Sequence, residues 1–199
     1  MPQDISGKRI AILVGQGFEQ VEMTEPREAL EQAGAQTLLI APQDDQVKAW
    51  NHTDWGDTYD VDQPLEQANA NEYDALMIPG GVMSPDKLRT NRKAVAFVRA
   101  FFEAGKPVAA ICHAPWLLAE ADVLDGRRVT SYPSIKTDLK NAGADWVDQE
   151  SVTDQGLVTS RSPADIAAFN RAMIEEFAEG KHSGQQRSVQ QQSQQPPAM

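Results

Sequence analysis

Reactive sulfur and nitrogen are scarce here. The 199-residue chain carries one cysteine, Cys112, and three histidines. A single cysteine excludes an intramolecular disulfide, and it equally excludes a Cys-rich zinc site. Cationic side chains are also few, 18 Lys and Arg against 29 Asp and Glu, for a formal net charge of −11. Such an acidic surface repels phosphate backbones, so nucleic acid is not an expected partner. No apolar run reaches the roughly 18 residues that a membrane span requires, so no membrane association is expected. The opening MPQDISGKRIAILVG lacks the apolar core and small-residue cleavage site of a secretory signal, which makes the expected location cytoplasmic. In that setting a lone cysteine is either core filler or a nucleophile.

What the sequence does contain is a succession of short apolar runs and helical patterns. Lys8–Val14 is a β-branched run that stops at Gly15 and Gly17. Apolar residues at helical spacing follow over Glu22–Gln32, with Gly34 as the stop, and Gln36–Ala41 reads as a second strand. This βαβ opening predicts a parallel sheet with right-handed crossovers. Lys48–Asp62 lacks helical periodicity and reads as an extended segment or hairpin. Ala75–Pro79 and Pro107–Ile111 are further core strands, separated by an amphipathic helix over Asn91–Ala104. Beyond them come a strand at Arg128–Tyr132, a short helix at Ile135–Asn141, a hairpin around Val152 and Leu157–Thr159, and a last helix over Pro163–Ala178. One domain spanning residues 1–179 is expected. Gly180–Met199, rich in Gln, Ser and Pro, reads as a flexible tail.

The segment PVAAI-C-H-A-P-WLLAEA runs an apolar strand straight into Cys112 and then into a helix. A nucleophile on such a tight turn projects from the carboxyl edge of the sheet, where open α/β folds bind ligands. The turn is crowded, and the small residues Ala110 and Ala114 meet that need. The following helix N-terminus is expected to pull the thiol pKa below its free value. His113 next door offers a base.

Two other strand ends bear on the same edge. Gly80–Gly81 follows ALMIP directly, and glycines let backbone N–H groups approach a ligand as oxyanion donors. Glu19 and Glu22 follow the first strand in GFEQVEM. Three residues apart on a helix they share a face, so spacing alone does not choose which approaches the sulfur. His52 reads as a loop residue, and Trp116, Tyr132 and Trp146 as packing residues.

Taken together, GFEQVEMTEP, DALMIPGG, the long run from GKPVAAICHAPW through NAGADWVDQE, and LVTSRSPADIAAFNRA closely resemble the PfpI family, over about Lys8 to Phe177. That family sits in a superfamily with class I glutamine amidotransferases. The resemblance implies a flavodoxin-like three-layer α/β sandwich with a mainly parallel central sheet. It implies Cys112 as nucleophile, Glu22 as the acid hydrogen-bonded to it, and oxyanion donors from the Gly80–Gly81 and Cys112–His113 backbone. Glu19 is then left nearer the mouth of the site. It also implies a Cys-His-acid set whose acid, matching Asp86, reaches His113 from a neighbouring subunit, so a homo-oligomer is expected. Asp86 stands where the family often has the longer glutamate. Glutamine amidotransferases use a later His-x-Glu, whereas the late histidine here, His182, lies outside that motif.

No metal or other cofactor is implied. Family members are described as peptidases, deglycases, glyoxalases and stress-protective chaperones. The expected function is therefore a stress-protective cysteine-dependent hydrolase acting on peptides or on glycated and dicarbonyl-modified substrates. The alternative is a redox-sensing or chaperone-like protein whose cysteine is oxidised rather than turned over.

Overall fold

A computed structural model describes residues 3–186. In chain order its elements are β1 (Arg9–Leu13), α1 (Gln20–Gln32), β2 (Gln36–Ala41), β3 (Gln46–Asn51), β4 (Asp54–Asp60), β5 (Gln63–Pro64), β6 (Ala75–Ile78), α2 (Met83–Arg89), α3 (Arg92–Glu103), β7 (Val108–Ile111), α4 (Pro115–Glu120), β8 (Arg128–Val129), α5 (Lys136–Asn141), β9 (Asp145–Trp146), β10 (Ser151–Asp154), β11 (Leu157–Ser160) and α6 (Ile166–Glu179). Seven strands form one sheet in the order β10-β11-β7-β6-β1-β2-β5. All its pairings are parallel except the edge hairpin β10–β11.

The period-two alternation of the strands builds two cores from one sheet. In β1, Ala11 and Leu13 face one side and Ile10 and Ile12 the other; Leu76 and Ile78 of β6 divide likewise from Ala75 and Met77. One core is closed by Phe97, Phe101 and Phe102 of α3 together with α4 and α5. The other is closed by Met23 and Leu30 of α1 and by Ile166, Phe169, Met173 and Phe177 of α6. At about 1.5–3 kcal/mol per large apolar side chain removed from water, these helices are held by their buried faces rather than by propensity. The three-layer, mainly parallel α/β architecture is as the sequence implies.

Several elements depart from the expectation. Helix α2 was not anticipated, since no element was assigned between Gly81 and Asn91; Pro85 is tolerated in its first turn, where the missing N–H has no intrahelical acceptor. The expected strand Arg128–Tyr132 shrinks to two residues paired with β9 outside the main sheet. Thr130 N–H instead bonds the Thr159 hydroxyl at 3.0 Å, and Tyr132 N–H bonds the Cys112 carbonyl at 2.9 Å. These bonds divert the chain over the carboxyl edge of the sheet. The first residues of the stretch read as tail pack back on the domain: Gln185 is fully buried and donates to the Lys106 carbonyl at 2.8 Å. Residues 187–199 of that stretch lie outside the described residues. No described helix is long and apolar enough to cross a membrane.

Candidate active site

Strands β1, β6, β7 and β11 end side by side, and the sequence direction changes between β1 and β6, where β1 connects to β2 on one side and pairs with β6 on the other. Ligands bind at such a switch point. A cavity of about 530 Å³ opens there, lined by Gly17, Glu19, Glu22, Cys112, His113 and Tyr132 among others. Its size suits a small molecule or a side-chain-sized group.

Cys112 follows β7 with φ +65°, a left-handed conformation that costs a non-glycine residue about 1–2 kcal/mol. The surroundings hold it there. Its N–H is tied to the Ser160 carbonyl at 3.0 Å, its carbonyl to Tyr132 N–H, and Ala114 N–H closes the turn on the Ile111 carbonyl at 3.0 Å. Cys112 is 6% exposed. His113 Nδ1 lies 3.1 Å from Cys112 Sγ, and His113 Nε2 lies 3.1 Å from the Ser134 hydroxyl. The ring stacks on Tyr132 with centroids 4.6 Å apart. Burial lowers the His113 pKa, which keeps the imidazole neutral and able to accept a proton.

Glu22 sits in the first turn of α1, fully buried against the thiol. Its Oε2 accepts the Gly80 N–H at 2.8 Å. Burial pushes its carboxyl up to about 7, against the pull of hydrogen bonds from the Cys112 thiol and Gly80. Burial and the neighbouring Glu22 carboxylate push the Cys112 thiol up as well, opposed by the Gly81 and His113 N–H groups that face the sulfur. This corrects the expected lowering by the helix N-terminus. Helix α4 is only six residues long and begins three residues beyond the sulfur, too little to outweigh desolvation beside an anion. The two groups cannot both ionise at low cost, so above about pH 7, where Glu22 gives up its proton, the pair holds one proton, that of the thiol.

The donors also sort differently from expectation. Gly80 N–H is taken by Glu22 and Cys112 N–H by Ser160. The two amides that face the sulfur are those of Gly81 and His113. Gly80 is instead required for space: a Cβ there would stand 2.5 Å from Glu22 Oε2 and 2.6 Å from both Cys112 Cβ and the Ile111 carbonyl. Gly81 has φ +78°.

Glu19 precedes α1 and also lines the cavity, but on the hairpin side: its Oε1 accepts the His52 N–H at 3.1 Å and lies 3.7 Å from His52 Nδ1. The shared face thus divides the acids, Glu22 at the sulfur and Glu19 toward the β3–β4 turn. Asp86 is exposed on α2 and is not among the cavity-lining residues; within one chain the second nitrogen of His113 meets Ser134 instead.

Sequence reasoning missed Ser134 and underrated His52 and Tyr132, which both line the cavity. Trp116 packs near His113, and Trp146 bonds the Ser131 hydroxyl at 2.9 Å away from the cavity. The Tyr-Pro-Ser turn after β8 was the available signal for Ser134, which lies between the expected strand Arg128–Tyr132 and the expected helix Ile135–Asn141.

The Ser134 bond has a measurable consequence. Removing a neutral partner of this kind costs about 1 kcal/mol, a factor of about five. Ser134→Ala is expected to lower any Cys112-dependent kcat/KM by about that factor and to shift its pH profile, since the hydroxyl is the hydrogen-bond partner of the second ring nitrogen of His113. Ser134→Thr is expected to restore both. An unchanged pH profile in Ser134→Ala would show the bond to be structural only.

The chain has counterparts among known proteins. The chain is 46% identical to General stress protein 18 of Bacillus subtilis over 170 residues, 84% of this chain and 96% of that protein. It is 43% identical to Protein/nucleic acid deglycase 2 of Escherichia coli over 168 residues, 84% of this chain and 96% of that one. The crystal structure of Drosophila melanogaster DJ-1beta superposes with a TM-score of 0.79 at 27% identity, covering 95% of this chain and 98% of that chain. The DJ-1/PfpI family model matches residues 8–176, a span that takes in every residue of the cysteine elbow and both glutamates, and the chain belongs to the DJ-1/PfpI family.

Proposed function

We propose that the chain is a cysteine-dependent enzyme that removes carbonyl adducts from amino groups, with Cys112 as nucleophile and Glu22 as its proton acceptor. The observation that carries this reading is the placement of the Cys112 sulfur in the cavity between the Glu22 carboxyl, His113 Nδ1 at 3.1 Å and the Gly81 and His113 amides. Relatives named deglycase recur, at 45%, 43%, 40% and 39% identity, against one named putative cysteine protease at 43%, and that recurrence favours adduct removal over peptide cleavage.

The chemistry follows from the single shared proton. The sulfur adds to the electrophilic carbon of the adduct, and the thiol proton passes to Glu22. The carbon–nitrogen bond then breaks, and the amine departs with a proton returned by Glu22 or His113. Negative charge developing on the adduct oxygen is met by the amides that face the sulfur in the free protein. Water finally cleaves the carbon–sulfur bond: its hydroxyl stays on the adduct carbon, its proton returns to the sulfur, and the carbonyl compound leaves as its hydrate. Glu19, beside His52 at the rim, orients the amine. Asp86 has a proposed role only from a second copy of the chain, where its exposed carboxylate would meet His113. Adducted bases are compatible with an acidic surface, because the cavity takes up the adduct and not the phosphate backbone.

The test is covalent trapping. Rapidly quenched mixtures with methylglyoxal-treated N-acetyl-lysine should show the added mass on the peptide containing Cys112. If the substrate is consumed with no mass on that peptide at any time, nucleophilic attack by Cys112 is refuted. The redox alternative predicts instead that peroxide modifies Cys112 while no adduct is ever turned over.

A further inference from the structure

A second cluster of chemistry-bearing side chains lies away from this cavity. Helix α6 ends at Glu179, and Gly180 with φ +84° reverses the chain. His182 is then fixed by two contacts: its N–H bonds the Gly105 carbonyl at 2.8 Å, and its ring lies so close to Gly156 that a Cβ there would stand 3.1 Å from it. This places His182 Nε2 3.3 Å from Glu176 Oε2 and 3.6 Å from Glu179 Oε2. One ligand atom from each residue lies within 4.8 Å of the others, the only such trio of potential ligands among the described residues.

Two buried atoms aim into this cluster without hydrogen bonds. Glu176 is 7% exposed, and its Oε2 is shielded from solvent and makes no hydrogen bond; His182 Nε2 is in the same condition. The two stand 3.3 Å apart, yet no hydrogen bond joins them. Such a spacing without a bond is where a co-ligand stands when nitrogen and oxygen both point at a shared ion. A buried, unbonded carboxylate oxygen is costly unless something occupies that point.

We propose that Glu176, Glu179 and His182 bind one divalent transition-metal ion, with zinc the best match, which fastens the segment after α6 to the domain. One imidazole nitrogen and two carboxylate oxygens form a zinc-type donor set that leaves a fourth position for water. Magnesium and calcium prefer all-oxygen sites. The two carboxylates balance the charge of the ion, and the C-terminal end of α6 adds partial negative charge.

The test must exclude the thiol, so it uses the full chain carrying Cys112→Ser, stripped with a chelator and titrated with zinc against a chromophoric competitor. One zinc per chain is expected, weakened about tenfold or more by His182→Ala and by Glu176→Gln. Cobalt in place of zinc should give visible bands with no sulfur charge-transfer band. Zinc should raise the melting temperature of Cys112→Ser and leave that of Cys112→Ser with His182→Ala unchanged. If either variant fails to fold in chelator, Glu179→Gln, whose side chain is 54% exposed, must still weaken zinc. Less than one zinc per chain, or binding unaffected by these substitutions, overturns the site and leaves an ordinary histidine–glutamate ion pair.

Discussion

Glu22→Gln is expected to make the protein more stable at pH 8 by about 3 kcal/mol while reducing its turnover to near background. The stability gain follows from the raised carboxyl, ordinarily at 4.5 and pushed up to about 7 by burial. Below pH 4.5 the group is protonated in both the folded and the unfolded chain, and it costs nothing. Between 4.5 and 7 the unfolded chain releases the proton while the folded chain keeps it, so stability falls as pH rises. Above 7 the loss is complete, at 1.36 kcal/mol per pKa unit. Glutamine keeps an oxygen for the Gly80 N–H and never ionises. The gain should therefore be absent near pH 4.5, grow through pH 7 and level off, as a melting-temperature difference of roughly 6–12 °C. Urea or thermal unfolding from pH 4.5 to 8 measures it. A gain that does not vary with pH would show that Glu22 titrates normally. The activity loss has the same origin: glutamine cannot take the thiol proton, so ionisation of Cys112 depends on a buried thiol that burial alone pushes up.

The second large effect concerns a residue with no functional group. Gly80→Ala is expected to destabilise the fold by about 2–4 kcal/mol, a loss of roughly 4–16 °C in melting temperature. The new methyl would press at once on Glu22 Oε2, Cys112 Cβ and the Ile111 carbonyl. One of these is backbone, and the others form the proton-sharing pair, so none can yield without opening the site. The Cys112 alkylation profile should change together with the stability. Gly126→Ala is the control for loss of a glycine, because nothing lies within 4 Å of a Cβ built there; Gly126, unlike Gly80, carries a positive φ, so its cost is limited to backbone strain. Equal effects in the two variants would show that crowding at Gly80 does not matter.

Much of this site was legible in the residues. An apolar run ending in glycine, repeated at β1 and β6, and the strand-to-helix passage through Cys112 place all three pieces at one sheet edge once a parallel sheet is granted. The pairing of Glu22 with the sulfur came from the family motif, since a shared helix face cannot separate Glu22 from Glu19. The structure separates them through the β3–β4 hairpin, whose His52 N–H takes Glu19. That contact spans 33 residues of sequence and leaves no local pattern. The direction of the thiol shift was misjudged for a physical reason. A helix terminus is visible in sequence, but burial and the charge of Glu22 beside the sulfur are tertiary. Ser134 escaped because it falls between the expected strand Arg128–Tyr132 and the expected helix Ile135–Asn141, and only the hydrogen bonds of Thr130 to Thr159 and of Tyr132 to Cys112 bring that junction over the site. Gln185 escaped because a Gln- and Ser-rich composition reads as unstructured, yet a single amide side chain reaches the Lys106 carbonyl in the domain.

The central claim is that the sulfur of Cys112 carries the chemistry. It is tested most directly by the rate at which free amine is released from methylglyoxal-treated N-acetyl-lysine by the wild-type chain and by Cys112→Ala at pH 7.5, with matched circular dichroism to show that both are folded. The account predicts a fall of about a thousandfold or more in kcat/KM, since removing a nucleophile leaves only the catalysis supplied by binding and the oxyanion donors. A Cys112→Ala protein that releases amine at a rate within tenfold of wild type would contradict it.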